Sequence, residues 1–123
     1  MGAGPWRLDG DPCLVRTARR LVGETLATWG LDALRDDAVL VVSELLTNGS
    51  RHGRPPLTLA LTRTGSGAVI EVGDGSPAPP VKQDPGESGR FGMWVVESLA
   101  LVTVECGPAG KVVRAVLPRP ADS

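Results

Sequence analysis

The chain has 123 residues, with 13 Lys and Arg against 14 Asp and Glu, 22% charged and 41% hydrophobic residues, and a formal net charge of −1. That length suits one domain, spanning residues 1–123, able to bury roughly two-thirds of the surface its unfolded chain exposes. The near-neutral balance excludes a general nucleic-acid surface, and no apolar run reaches the length of a membrane span.

The N-terminal Met1 to Trp6 lacks the basic and apolar plan of a signal peptide, so a cytoplasmic location is expected. Asp11 followed by Pro12 predicts an N-cap and first-turn proline for a helix reaching Trp29, with apolar positions at Leu14, Ala18, Leu21, Val22 and Leu26. Gly30 stops it. Asp32 is predicted to cap a second helix, with Asp36 and Asp37 in its first turn, ending at about Ser50 or Arg51. Leu57 to Thr64 and Ala68 to Val72 read as neighbouring antiparallel strands around Thr64-Gly65-Ser66-Gly67.

From Gly73 to Arg90 the prolines at 77, 79, 80 and 85 and the glycines at 73, 75, 86 and 89 predict a long loop acting as a lid. Phe91 to Ala100 reads as a third helix. Two strands, Leu101 to Cys106 and Lys111 to Leu117, follow around Gly107-Pro108-Ala109-Gly110, and Pro118 to Ser123 is an expected frayed tail. Helices grouped beside a largely antiparallel sheet predict an α+β two-layer sandwich, the helices covering one face.

The two cysteines, Cys13 and Cys106, have neither zinc nor disulfide-framework spacing and are predicted to be small core residues. A single histidine, His52, removes every site that needs two imidazoles. Of the aromatics, Trp6, Trp29, Phe91 and Trp94 show no stacking pattern and read as core or interface anchors, with Trp94 open to either role.

Glu44, Asn48 and His52 are spaced by four and Arg51 follows Asn48 by three, so the four share one stripe of the second helix, away from Ala38, Val42, Leu45 and Leu46. Periodicity alone makes such a stripe a solvated helix face. An Asp and Gly at a strand end, as at Asp74 and Gly75, are equally at home in an ordinary turn.

Ser43 to Gly53, with Glu44, Asn48 and His52 inside it, resembles the N box of the GHKL ATPase superfamily, whose members share the Bergerat ATP-binding fold. Glu71-Val72-Gly73-Asp74-Gly75-Ser76 is similar to its next box. Gly89-Arg90-Phe91-Gly92-Met93-Trp94-Val95-Val96 is similar to its glycine box, and Gly110-Lys111-Val112-Val113 to its closing strand motif. Four matches in order, spanning roughly Ala18 to Leu117, most resemble the anti-sigma factor and serine kinase branch in its short actinobacterial form.

The resemblance implies ATP and Mg²⁺ as cofactors. It makes Asn48 the magnesium residue and Glu44 the group that orients or deprotonates an incoming hydroxyl. It makes Asp74, beside Gly75, the acceptor for the adenine amino group, and it brings Arg90, Phe91, Gly92 and Met93 to the phosphates at a helix start. Amide oxygen suits a hard cation that keeps its waters, and phosphoryl transfer asks mainly for positioning and neutralisation of charge. Arg51 and His52 either donate to phosphate oxygens or close the helix C-terminus.

Departures from the pattern are also visible. Ser76 and Ala78 replace glycines, and Arg90 and Phe91 before Gly92 give Gly-x-x-Gly-Met where Gly-x-Gly-Leu is usual. Val112 stands where the branch often has a threonine whose hydroxyl joins the network around the acidic residue, which predicts low nucleotide affinity. Gly49 replaces an alanine at a cost to the helix of up to about 1 kcal/mol.

The function expected is that of a Mg-ATP-dependent serine/threonine protein kinase phosphorylating a small antagonist protein, with a sigma factor and that antagonist as partners and a homodimer as a further expectation of the family. The alternative is a non-catalytic nucleotide- or partner-binding module with the same fold. A histidine-kinase output domain is disfavoured because the sole His52 lies within the N box. A metal hydrolase on Glu44, Asn48 and His52 lacks a third strong ligand.

Overall fold

A computed structural model describes residues 1–65, 67–79 and 93–118. The elements run β1 (Gly2–Arg7), α1 (Leu14–Thr28), a 3₁₀ turn (Asp32–Leu34), α2 (Arg35–His52), β2 (Thr58–Thr64), β3 (Gly67–Asp74), α3 (Met93–Leu99), β4 (Leu101–Gly107) and β5 (Gly110–Pro118). The strands form one sheet in the order β1-β2-β3-β5-β4, every neighbouring pair antiparallel. The α+β two-layer sandwich expected from the sequence is the fold observed.

Register fixes which side chains face the helices. Ile70 pairs with Ala115, Val72 with Val113 and Ala68 with Leu117, and all are buried. They meet Ala18, Val22 and Leu26 of α1, Ala38, Val41, Val42, Leu45 and Leu46 of α2, and Met93 and Val96 of α3. Buried Ser43 ties the two long helices together, accepting from Arg19 Nε at 2.9 Å while its hydroxyl donates to the Val39 carbonyl at 2.6 Å. On the far sheet face Arg114 stands between Glu71, at 2.9 Å, and Glu105, at 3.6 Å.

Several boundaries differ from expectation. Asp11 does not cap α1 directly. The helix starts at Leu14, and the Asp11 carboxylate accepts from the Cys13 N–H at 2.7 Å and from the Thr17 hydroxyl at 2.8 Å, from outside the first turn. Asp32 opens the 3₁₀ turn instead of capping, so α2 begins at Arg35, and it runs to His52. β3 extends through Gly73 and Asp74, which were expected in the loop, and Pro118 ends β5 opposite Gly67 rather than fraying. Residues 75–79 of the expected lid form neither helix nor strand, and its remainder, residues 80–90, the start of the third helix at Phe91 and Gly92, and the tail after Pro118 lie outside the described residues.

β1 has no counterpart in the sequence reading. Its two glycines and Pro5 argue against a strand, but β1 is an edge strand, where a missing N–H is tolerated, and Pro5 falls within a register shift between Ala3 and Trp6. The cysteine expectation is corrected too: Cys13 and Cys106 are both exposed. Cys13 sits at the entrance to α1, and Cys106 sits near the hairpin end of edge strand β4, where neither gains a covering layer. Trp29 is buried, whereas Trp94 is 51% exposed and so is no core anchor.

The bonds from the Cys13 N–H and then from Thr17 hold the Asp11 carboxyl below the usual carboxylate range. A folded pKa below the unfolded value contributes stability that is complete above about pH 4 and is lost as pH falls through the folded value. Urea melts between pH 2 and 5 should therefore show a shallower acid limb for Asp11→Asn than for the parent. An unchanged limb would detach the carboxylate from the start of α1.

Candidate functional site

The apolar face of α2 sets the rotation of the polar one. With Leu45 and Leu46 turned into the core, Asn48, Gly49 and His52 face a cleft whose opposite wall is the end of β3 and the start of β5. Glu44, half-buried, lies one turn before Asn48 on the same stripe. Arg51 is exposed and does not line this cleft, whereas His52 borders it from an otherwise exposed position. Both lie in the last helical turn, where positive charge is favoured.

Asp74 ends β3 with its side chain on the helix-facing side. Its Oδ1 accepts the Ser76 N–H at 2.7 Å. Its cross-strand partner is Lys111, whose Nζ lies 3.0 Å from Oδ1 and 2.9 Å from Oδ2, the two side chains being 5% and 3% exposed for Lys111 and Asp74. Sequence reasoning missed Lys111 and looked to Val112 for the residue beside Asp74. Strand alternation corrects that, because Val112 points to the other face, beside Gly73, and Lys111 is the side chain aimed at the carboxylate. The signal was available in the period of two, counted back from Val113, Ala115 and Leu117.

Glycines let α2 close on this pair. A Cβ at Gly53 would stand 2.6 Å from Asp74 Cγ, and one at Gly49 would stand 2.8 Å from Leu57 Cδ1. The lost helix propensity at Gly49 thus goes with room for buried Leu57 beneath the last turns. Gly75 donates its N–H to the Arg54 carbonyl at 2.6 Å, and its own Cβ position runs into the Pro55 carbonyl, so its bareness serves backbone packing. Met93 is buried in the core at the start of α3. Arg90, Phe91 and Gly92 lie outside the described residues.

The two-layer sandwich and the polar stripe of α2 facing the acidic end of β3 agree with the arrangement that the sequence resemblance to an ATPase module implies. The family model "Histidine kinase-like ATPase domain" matches residues 8–117, and the chain belongs to that family. Among solved structures, the blue-light activated histidine kinase of Erythrobacter litoralis EL346 is similar over 72% of this chain and 31% of its own, at 24% identity and a TM-score of 0.53. The separate histidine kinase domain of that protein is similar over 69% of this chain and 44% of its own, at 24% identity and a TM-score of 0.51. Both likenesses are of fold, and the chain spans less than half the length of either. No curated protein matches the sequence. Among the described residues no helix is long and apolar enough to cross a membrane.

The family implies ATP, and the described residues fit it at one end only. An amide oxygen at Asn48 with the Glu44 carboxylate one turn away suits a hard cation, through which phosphates would be held. At the other end Asp74 is already held by an ammonium. Between α2 and the sheet the cavity lined by Asn48, Gly49, Val72, Asp74, Lys111 and Val113 amounts to about 10 Å³, no more than a single water needs. The ligand-sized space beside Asp74, about 470 Å³, lies instead toward Thr58, Gly73 and the β4–β5 hairpin.

Proposed function

We propose that the chain is an ATP-dependent serine/threonine protein kinase of the anti-sigma type, which phosphorylates a serine of a small antagonist protein and has a sigma factor as its other partner. The observation that carries the nucleotide part is that Asn48 and Asp74, from different elements, line one cleft. The kinase branch and its partners rest on the resemblance of the four sequence boxes, and a homodimer belongs to the same expectation.

In this reading Asn48 would contribute an oxygen to Mg²⁺, which neutralises phosphate charge when bound. Glu44 orients the serine hydroxyl and takes its proton as the serine oxygen bonds to the γ-phosphorus. The bond from that phosphorus to the β,γ-bridging oxygen breaks, and ADP carries away the electron pair. By the resemblance Arg51 and His52, at the end of the same helix, would donate to phosphate oxygens, and of the two His52 borders the cleft while Arg51 does not. Arg90, Phe91, Gly92 and Met93 are assigned to the phosphates by resemblance alone.

Glu44→Ala is expected to bind Mg-ATP as the parent does and to transfer phosphate at least about 100-fold more slowly. The readout is γ-labelled phosphate arriving on a serine of a candidate antagonist. Transfer at the parental rate would remove Glu44 from the chemistry. Asn48→Ala, titrated calorimetrically with ATP with and without Mg²⁺, should lose the magnesium-dependent part of binding.

The Lys111–Asp74 pair favours a second reading, in which the fold is kept as a nucleotide-free partner-binding module. No binding of ATP at millimolar concentration would select it.

A further inference from the structure

We infer that Lys111 is a built-in occupant of the base subsite, so that a nucleotide can engage its base only when the ammonium leaves Asp74. The inference rests on the reading of Asp74 as the base acceptor. Lys111 and Asp74 are direct cross-strand partners on the helix-facing side of the two central strands, and neither side chain is more than 5% exposed. The ammonium reaches both carboxylate oxygens, at 3.0 and 2.9 Å, while the Ser76 N–H takes a further position on Oδ1.

A carboxylate offers about four acceptor positions, and these contacts use most of them. An ammonium and an exocyclic amino group are both donors, so at this acceptor they compete rather than complement one another. Space argues the same way on the α2 side, where the four-carbon stem of Lys111 lies along the wall of a cavity of about 10 Å³, far below the several hundred of a small-molecule site. A cavity of about 470 Å³ that Asp74 and Lys111 also line opens at the β4–β5 hairpin, beside Thr58, Gly73 and Val112. The bare positions at Gly49 and Gly53 bring the end of α2 down onto the carboxylate, which keeps the space on the helix side small. Lys111 has no other partner there, and its hold on the subsite is this one ion pair.

The deciding experiment is calorimetric titration of the full chain and of Lys111→Thr with Mg-ATP and, separately, with Mg-tripolyphosphate, which has the phosphates but no base. Threonine clears the stem and keeps a hydroxyl to donate to Asp74. In the parent the two ligands should bind within about threefold of each other, since the base adds little. In Lys111→Thr, ATP should tighten about tenfold or more and tripolyphosphate should not change. ATP binding that appears only in the variant gives the same support.

A parent that prefers ATP by about 100-fold, or a variant that binds ATP more weakly, overturns the inference and makes Lys111 a donor to the base instead. Should Lys111→Thr not fold, as judged by circular dichroism, the comparison of ligands on the parent decides alone. Binding of tripolyphosphate that is lost in Asn48→Ala, with no gain for ATP in Lys111→Thr, would sink the occupied subsite and leave the phosphate end standing. No binding of either ligand to either protein removes the nucleotide reading together with the occupant.

Discussion

Asp74→Ala is expected to destabilise the protein by about 3–5 kcal/mol, because it strands the Lys111 ammonium in a site that gives it 5% exposure and no other partner among the described residues. Replacing both partners removes the stranded charge, so Asp74→Ala combined with Lys111→Met should recover most of that loss. Urea unfolding followed by circular dichroism measures the single and double variants against the parent. A single variant as stable as the parent would show that the ammonium reaches water once Asp74 is gone. The cycle also governs how nucleotide experiments are read. Lost ATP binding in an Asp74 variant reports a missing base contact only if the variant is still folded, and the double variant supplies that control.

Leu46→Ala should cost about 2–5 kcal/mol, the range for removing most of a leucine from a packed interior. Leu46 is fully buried, two residues from Asn48 and so turned away from it, between the helix layer and the sheet. The loss should appear in the unfolding midpoint with the denaturant slope unchanged. Ligand binding per folded molecule should not change, because no atom of the cleft is removed. A large drop in affinity at temperatures where the variant is folded would mean that packing beneath α2 sets the position of the polar stripe.

The layer architecture was legible because both of its periods are clean. The 3.6 period places Ala38, Val42, Leu45 and Leu46 on one side of α2, and the alternation of Ala68, Ile70 and Val72 marks one face of β3. Glu44, Asn48 and His52 were legible as a stripe for the same reason, and the cleft collects Asn48 and His52 from it. β1 was illegible because its signals are those of a turn, and only pairing with β2 makes it a strand. The cysteines went wrong because small apolar character predicts burial only where another layer covers the residue. Lys111 was passed over because a lysine in a strand reads as a solvated charge until register sets it opposite Asp74. A pairing across strands is a property of the sheet, and neither residue announces it alone.

The two edges of the sheet are unequal, and this bears on how copies of the chain can associate. β1 presents a proline and an irregular register to anything arriving from outside, which blunts it as a template for another strand. β4 is regular along its whole pairing with β5 and carries Leu101 at 75% exposure. Among the described residues, strand addition between copies therefore has one usable edge per molecule. A body with a single adhesive edge can be joined to one other and then has none left, so this route ends at two copies and cannot propagate into a fibre.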